Sequence, residues 1–401
     1  MDKIYGIKTD VQNNVIIVGQ TNSKTNISTA GSYSPSFNGY DDAFLIKFNA
    51  SGVRQWGTYF GSGGRDAAYD LDIDNNNNIF MVGTYSINHS DNPHNTPIGD
   101  GFLNKFGPNG NLFWTKLYGG QRTDEFRTIK IGGTFIAVGG FSNSLDNIST
   151  PGVFQENLQN TNIYTDDGTA YKFNLDGERI WSTYYGGEHG EKVNAIEIDD
   201  NNNIYLGGET TSSSNIATPN SFHSSNSNSE TGFLAKLDQN GQRVWGTYLG
   251  SSTGIYSLVF KNNSIYVGGN GGIDTSITSI CAYKRNGPSE GYIGKFSKLG
   301  DLEWGSYVGG FDQYSKTEIT VTNNQIVVGG TSMFNDGIAD INSYQPDILG
   351  SNNFYLMKFL EEKECNINIK PLSNSPVCIK ITLNLKLLQG IIMHGQAPMG
   401  L

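Results

Sequence analysis

Apolar residues recur along this chain in short alternating runs rather than at helical spacing, and polar turn residues end each run after a few positions. In residues 66–83 the stretch DAAYDLDID alternates, Asn75 to Asn78 form a polar turn, and IFMVG follows as a short apolar strand ending in Gly. Equivalent strands read VIIVG from Val15, FIAVGG from Phe135, IYLGG from Ile204, IYVGG from Ile265 and IVVGG from Ile326. A second strand type ends in Lys-Phe or Lys-Leu and leads, four places on, to Gly52, Gly110, Gly177, Gly241 or Gly300; a sixth copy, FYLMKF, begins at Phe354. Glycine at one fixed turn position points to a residue with positive φ closing a hairpin. Four period-2 runs per unit, bounded by Gly, Asn and Ser, predict a four-stranded antiparallel sheet.

Five tryptophans set the period. Trp56, Trp114, Trp181, Trp245 and Trp304 head the motifs WGTYFGS, WTKLYGG, WSTYYGG, WGTYLGS and WGSYVGG, at separations of 58, 67, 64 and 59 residues. A repeat of that length holding four short strands is a propeller blade. The chain is therefore expected to be all-β, a six-bladed β-propeller of four-stranded antiparallel blades, with strands a to d running from the axis outward. Strand a is KIYGIKTD in the first blade and KVNAIEID in the fourth; b carries IYVGG, c carries FLAKL, and d carries the Trp. The tryptophan ladder reads as packing, because an aromatic repeated at one register position is what burial between blades requires.

The ordered set W-x-T-Y-x-G-G, D-x-A-x, D-x-x-x-N-I-Y-x-x-G and D-A-F-L-x-K-F-x-x-x-G resembles the SBBP beta-propeller repeat of secreted bacterial proteins. The b-to-c connectors NISTAGSYS from Asn26, NISTPGVFQ from Asn147, NIATPNSFH from Asn215 and the weaker GIADINSYQ from Gly337 are similar to those of Bacteroidota versions, and the resemblance spans roughly residues 1–360. It implies an extracellular or cell-surface bacterial protein. The second and fifth units carry INHSDNPHNTPIGDG and GIDTSITSICAYKRNGPSEG in place of the connector, which marks those loops for individual function.

Composition narrows the partners. A net charge of −11 repels nucleic acid and anionic membrane surfaces, and no run of eighteen apolar residues is present to span a bilayer. Strand a begins directly after Met1 with no signal peptide ahead of it, so relative to exported proteins with this repeat the chain is expected to be a fragment of a larger multidomain protein, with a seventh blade open to upstream sequence. ECNINIK from Glu364 takes the place of the sixth d strand, with Ile367 at the Trp position. SNSPVCIKITLNL from Ser373 resembles the start of an immunoglobulin-like or PKD-like module. The expected division is thus a propeller over residues 1–370 and a poorly ordered tail over 371–401. Of the three cysteines, Cys365 and Cys378 can pair in an oxidising compartment, or all three, Cys281 included, stay free; no CxxC supports zinc.

Catalytic motifs are lacking: there is no G-x-S-x-G elbow turning a strand into a helix, no HExxH and no phosphate-binding glycine loop. His89, His94, His189, His223 and His394 are scattered, and Glu188, His189 and Glu191 on one turn read more readily as solvated than as metal ligands. One constellation recurs. Asp2, Asp66, Asp124 and Glu191 stand just before strand a in four blades, and a propeller carries such positions round one channel mouth. They form a candidate ligand-binding collar with calcium as its candidate cation, against the plainer role of bonding loop amides. No other cofactor or metal is expected. The expected function is a non-catalytic binding or scaffold module, monomeric, with a protein or glycan ligand, no nucleic-acid partner and no membrane insertion. A lyase or glycosidase with paired carboxylates on one face is the alternative.

Overall fold

The computed structural model describes residues 2–87, 98–160, 162, 164–226, 230–251, 253–272, 274–279, 290–308, 316–322, 325–332 and 353–361. In blade 1 the strands Lys3–Thr9, Val15–Thr21, Asp42–Phe48 and Arg54–Phe60 pair antiparallel in chain order as a to d. The same order runs through blades 2 to 5, whose a strands are Ala67–Ile73, Asp124–Gly132, Glu191–Ile198 and Gly254–Lys261. Blade 6 shows Glu318–Thr322, Gln325–Ser332 and Asn353–Leu360 as strands a, b and c. A single 3-10 turn, Thr275–Ile277, is the helical content among the described residues. The all-β, six-bladed architecture is as the repeat predicts. The expected sixth d strand, the tail, all three cysteines, His89, His94, His394 and the core of both irregular connectors lie outside the described residues.

Crowding dictates the glycine of strand b. A Cβ on Gly19, Gly83, Gly140, Gly208 or Gly269 would stand 1.8 to 2.1 Å from a carbonyl oxygen of the adjoining a strand, where the a–b register slips by one residue. Conformation dictates the hairpin glycine: φ lies between 77° and 90° at Gly52, Gly110, Gly177, Gly241 and Gly300.

That second glycine also receives the preceding blade. A Cβ on Gly110, Gly177, Gly241 or Gly300 would lie 2.8 to 3.0 Å from the ring of Trp56, Trp114, Trp181 or Trp245 respectively. The indole N–H of Trp56 donates to the Pro108 carbonyl (3.2 Å), that of Trp181 to Gln239 (2.8 Å) and that of Trp245 to Lys298 (2.9 Å). The lysine facing each Trp across the c–d ladder adds to the clasp, with Lys47 donating to Pro108, Lys105 to Leu175 and Lys172 to Gln239. Each d strand is thus pinned onto the c–d hairpin of the next blade.

Between the clasp and the axis lie five apolar clusters, each shared by two successive blades. A sixth cluster, Ile17, Ile27, Phe44, Ile46 and Tyr59, belongs to blade 1 alone. The repeated connectors seal the outside of their own blades: Ile27, Ile148 and Ile216 are buried, and Thr29, Thr150 and Thr218 donate backbone N–H groups to the d-strand carbonyls of Gly57, Ser182 and Gly246.

Candidate functional site

The four collar acids do one job four times. Asp66 accepts the N–H of Ser62 (2.6 Å) and of Ser86 (2.7 Å); Asp124 accepts from the Gly120 N–H (2.7 Å) and the Ser144 hydroxyl (2.8 Å). Glu191 accepts from the Gly187 N–H (2.9 Å) and the Thr210 hydroxyl (2.6 Å), and the exposed Asp2 accepts from the hydroxyls of Thr21 and Ser23. The loop donor sits four residues ahead of Asp66, Asp124 and Glu191 alike, so each carboxylate ties the incoming d–a loop to the end of its own b strand. Among the described residues no three His, Cys, Asp or Glu side chains gather closely enough to hold a metal.

Each inner latch faces a second acid across a glycine. Asp42 Oδ1 and Asp66 Oδ2 both lie 2.8 Å from where a Gly61 Cβ would stand, and Asp100 with Asp124 flank Gly119, as Asp167 with Glu191 flank Gly186. Burial is the main force on these groups. It pushes Asp42 up to about 6, with Asp66 adding repulsion; it pushes Asp124, Asp167 and Glu191 up to about 7, with Asp100, Asp166 and Asp167 respectively adding to it. The Oδ1 atoms of Asp42, Asp124 and Asp167 are buried and accept no hydrogen bond. Burial, with the second acid nearby, favours the protonated form of these carboxyls to higher pH than is usual. They are sealed at the blade junctions, with Asp42, Asp66, Asp124, Asp167 and Glu191 at most 1 % exposed. The sequence reading missed Asp42, Asp100 and Asp167, although Asp-Ala-Phe, Asp-Gly-Phe and Asp-Gly-Thr recur at the start of strand c in those three blades.

The axis carries charge of both signs. Lys8, Asp72, Lys130 and Glu197 share one a-strand position in blades 1 to 4, and Lys130 pairs with Glu197 at 2.9 Å. Asp70 accepts the Ile129 N–H (3.0 Å) and Asp72 the Ile131 N–H (2.8 Å), stitching strand a of blade 2 to that of blade 3. Burial raises Asp70 and Glu318; burial opposes the charge on Lys8, but Asp70, Asp72, Glu197 and Glu318 outweigh it and raise the lysine.

A cavity of about 520 Å³ opens where blades 3 and 4 meet, beside the d–a loop. Tyr164, Asp166, His189, Lys192, Glu209 and Glu230 supply its chemistry. Tyr164 is 83 % exposed, burial raises Asp166 against the pull of Lys192 and Arg127, and Glu209 accepts the Tyr256 hydroxyl at 3.1 Å. Of the turn singled out in the sequence, His189 and Glu191 line this cavity while Glu188 does not. Burial pushes Glu188 up, but the amides and hydroxyls of Ser213 and Ser214 hold it down at about 2; Glu191 is latched inward.

Residues 180–216, spanning strand d of blade 3 and strands a and b of blade 4, match the family model of the SBBP beta-propeller repeat. No curated protein matches the chain. Among solved structures it is similar to hydrazine synthase of Kuenenia stuttgartiensis (8 % identity, 82 % of this chain and 75 % of that one, TM-score 0.45). It is also similar to a protein of unknown function from Bacteroides caccae (9 %, 76 % and 82 %, TM-score 0.39) and to Sqt1 from Chaetomium thermophilum (10 %, 91 % and 83 %, TM-score 0.40).

Proposed function

We propose that this propeller, which carries the SBBP repeat, is a non-catalytic binding and scaffold module acting at the cell surface or outside it as a monomer, with the cavity between blades 3 and 4 as its ligand site. One observation carries the reading. The acids that recur just before strand a are spent on latching loops, whereas Tyr164, His189 and Glu209 do not recur, so a repeated frame presents chemistry of its own at one junction. Of the two ligand classes expected, a hydroxyl-rich glycan fits the lining best: the exposed Tyr164 ring offers a stacking face, and Asp166, Glu209 and Glu230 offer acceptors for hydroxyl groups. Among the described residues no helix is long and apolar enough to cross a membrane; the extracellular placement rests on the resemblance of the repeat.

A glycan and protein array probed with the whole chain tests this. Binding is expected to a neutral or amine-bearing glycan, lost in Tyr164→Ala and in the double variant Glu209→Gln/Glu230→Gln with thermal unfolding unchanged. Binding that survives both variants would move the site elsewhere. The three carboxylates beside His189 also favour a second reading, a glycosidase or lyase at the same cavity. New reducing ends or unsaturated products from a bound glycan would establish it.

A further inference from the structure

Five junctions are built to one plan, and among the described residues the two mating faces of that plan also stand open. Toward its successor each blade presents the residue two places before the clasp lysine: Leu45, Leu103, Ala170, Leu234 and Ile293 are each 0 % exposed, but Leu356 at the same register is 53 % exposed and Phe354 beside it 68 %. Toward its predecessor each blade presents Leu71, Ile129, Ile196, Leu258 or Ile319, between 0 and 8 % exposed, but Ile7 of blade 1 is 63 % exposed and its neighbour Ile4 61 %. The hairpins agree. A Trp ring crowds the glycine of blades 2 to 5, and around Gly52 of blade 1 no described residue lies within 4 Å of the place of a Cβ. Glu318 of blade 6 nevertheless lies near enough to Lys8 of blade 1 to add, after Asp70, Asp72 and Glu197, to the attraction that offsets the burial of that lysine.

We propose that the opening between blades 6 and 1 is a docking site for one further blade of this same repeat. Both exposed faces are halves of an interface the molecule makes five times, and an occupant that covers both must carry the leading half on one side and the trailing half on the other. A four-stranded blade with this repeat has that construction. It brings a tryptophan to Gly52 and a lysine to the Ala50 carbonyl, the position held by Pro108, Leu175 and Gln239 at the other hairpins. Its own hairpin glycine and carbonyl meet blade 6, where Lys358 is the clasp lysine. Blade 6 does not supply the missing tryptophan to blade 1: Lys and Trp are nine residues apart in five blades (Lys47 and Trp56, for example), and nine residues after Lys358 stands Ile367. Covering large apolar side chains such as Ile7, Ile4, Leu356 and Phe354 is favourable in proportion to the area taken from water, so the face has the energetic character of a junction rather than of a wetted edge.

The test uses the whole chain with Cys281, Cys365 and Cys378 changed to Ser and one reporter, Ile7→Cys or Leu356→Cys. A copy of residues 124–190, one blade with its own exit loop, is fused ahead of Asp2, which occupies the place of Glu191. The fusion is expected to slow maleimide labelling at both reporters by about ten-fold or more, as local burial does, and to raise the melting temperature; Trp181→Ala within the copy is expected to restore labelling at Ile7→Cys. Labelling of the fusion at the unfused rate overturns the proposal. So does a disulfide between Ile7→Cys and Leu356→Cys in the unfused chain, which would mean that blades 6 and 1 close directly. Concentration-dependent dimerisation that protects the reporters would assign the face to a second copy and overturn it as well.

Discussion

Ile196 in blade 4 and Ile7 in blade 1 hold the same place: each sits on strand a, pairs with the third residue of its b strand, and points toward the preceding blade. Ile196 is 5 % exposed and Ile7 63 %. The residue, its strand and its register are alike, so the difference is made wholly by the neighbour. A blade's apolar face is therefore half of a core, and its contribution to stability depends on which blade lies against it.

The comparison breaks most readily at the clasp. Trp181 is 6 % exposed, stacks over Gly241 and donates to Gln239, so Trp181→Ala should cost about 3 to 5 kcal/mol in chemical denaturation, as deletion of a large buried aromatic does. Unfolding like wild type would show that the ring is not part of the junction. The isoleucines come next. Ile196→Ala should cost about 2 to 5 kcal/mol, and Ile7→Ala, at an open face, less than about 0.5 kcal/mol. Equal losses would mean that the face of blade 1 is covered in solution.

Smaller in effect, and confined to the sealed junctions, is the titration of the acid pairs. Asp124, Asp167 and Glu191 have folded pKa values near 7 and Asp42 near 6, above the unfolded range of carboxylates, so the folded state holds more protons between pH 4 and 7. The stability they contribute is fully present below about pH 4 and is lost as pH rises through 6 to 7. Asp10 and Glu188 are both near 2: burial works against their charge but is outweighed, for Asp10 by Asn14 and Lys47 and for Glu188 by Ser213 and Ser214. Stability from these two is lost as pH falls below about 4. Melting temperature is thus expected to peak near pH 4 to 5 and decline toward pH 8, and Asp167→Asn should flatten the decline. A curve rising to pH 8 would contradict the buried pairs. The smallest effect expected is that of calcium. With the collar acids bonded to loop donors, calcium should shift the melting temperature little; a large shift that disappears in Asp66→Asn/Asp124→Asn would make cation binding part of the collar's work.

Much of the fold was legible because its causes are local. The hairpin glycines, the b-strand glycines and the Lys–Trp spacing recur, and each repetition pointed to one geometric demand. The latch acids were legible as a set for the same reason. Their partners Asp42, Asp100 and Asp167 were not picked out, because each belongs to the preceding blade and meets its latch only across the junction. The cavity lining was illegible: Tyr164, His189, Glu209 and Glu230 come from four separate places in the chain, and of these only Glu230, at the position of Asp41 and Asp166, has counterparts in other blades.

Repetition along the chain determined the blade, since strand alternation, turn glycines and the d-strand tryptophan act over a few residues and carry their meaning in one unit. What the tertiary structure decided was which halves meet. Whether an apolar face is buried, whether an aspartate is charged at neutrality and whether a loop residue lines a cavity each depend on a neighbour in another blade, as Asp124 beside Asp100 and the exposed Ile7 make plain. Burial and charge repulsion act through space, and the spacing of a repeat records which element comes next but not whether anything stands against the first face and the last.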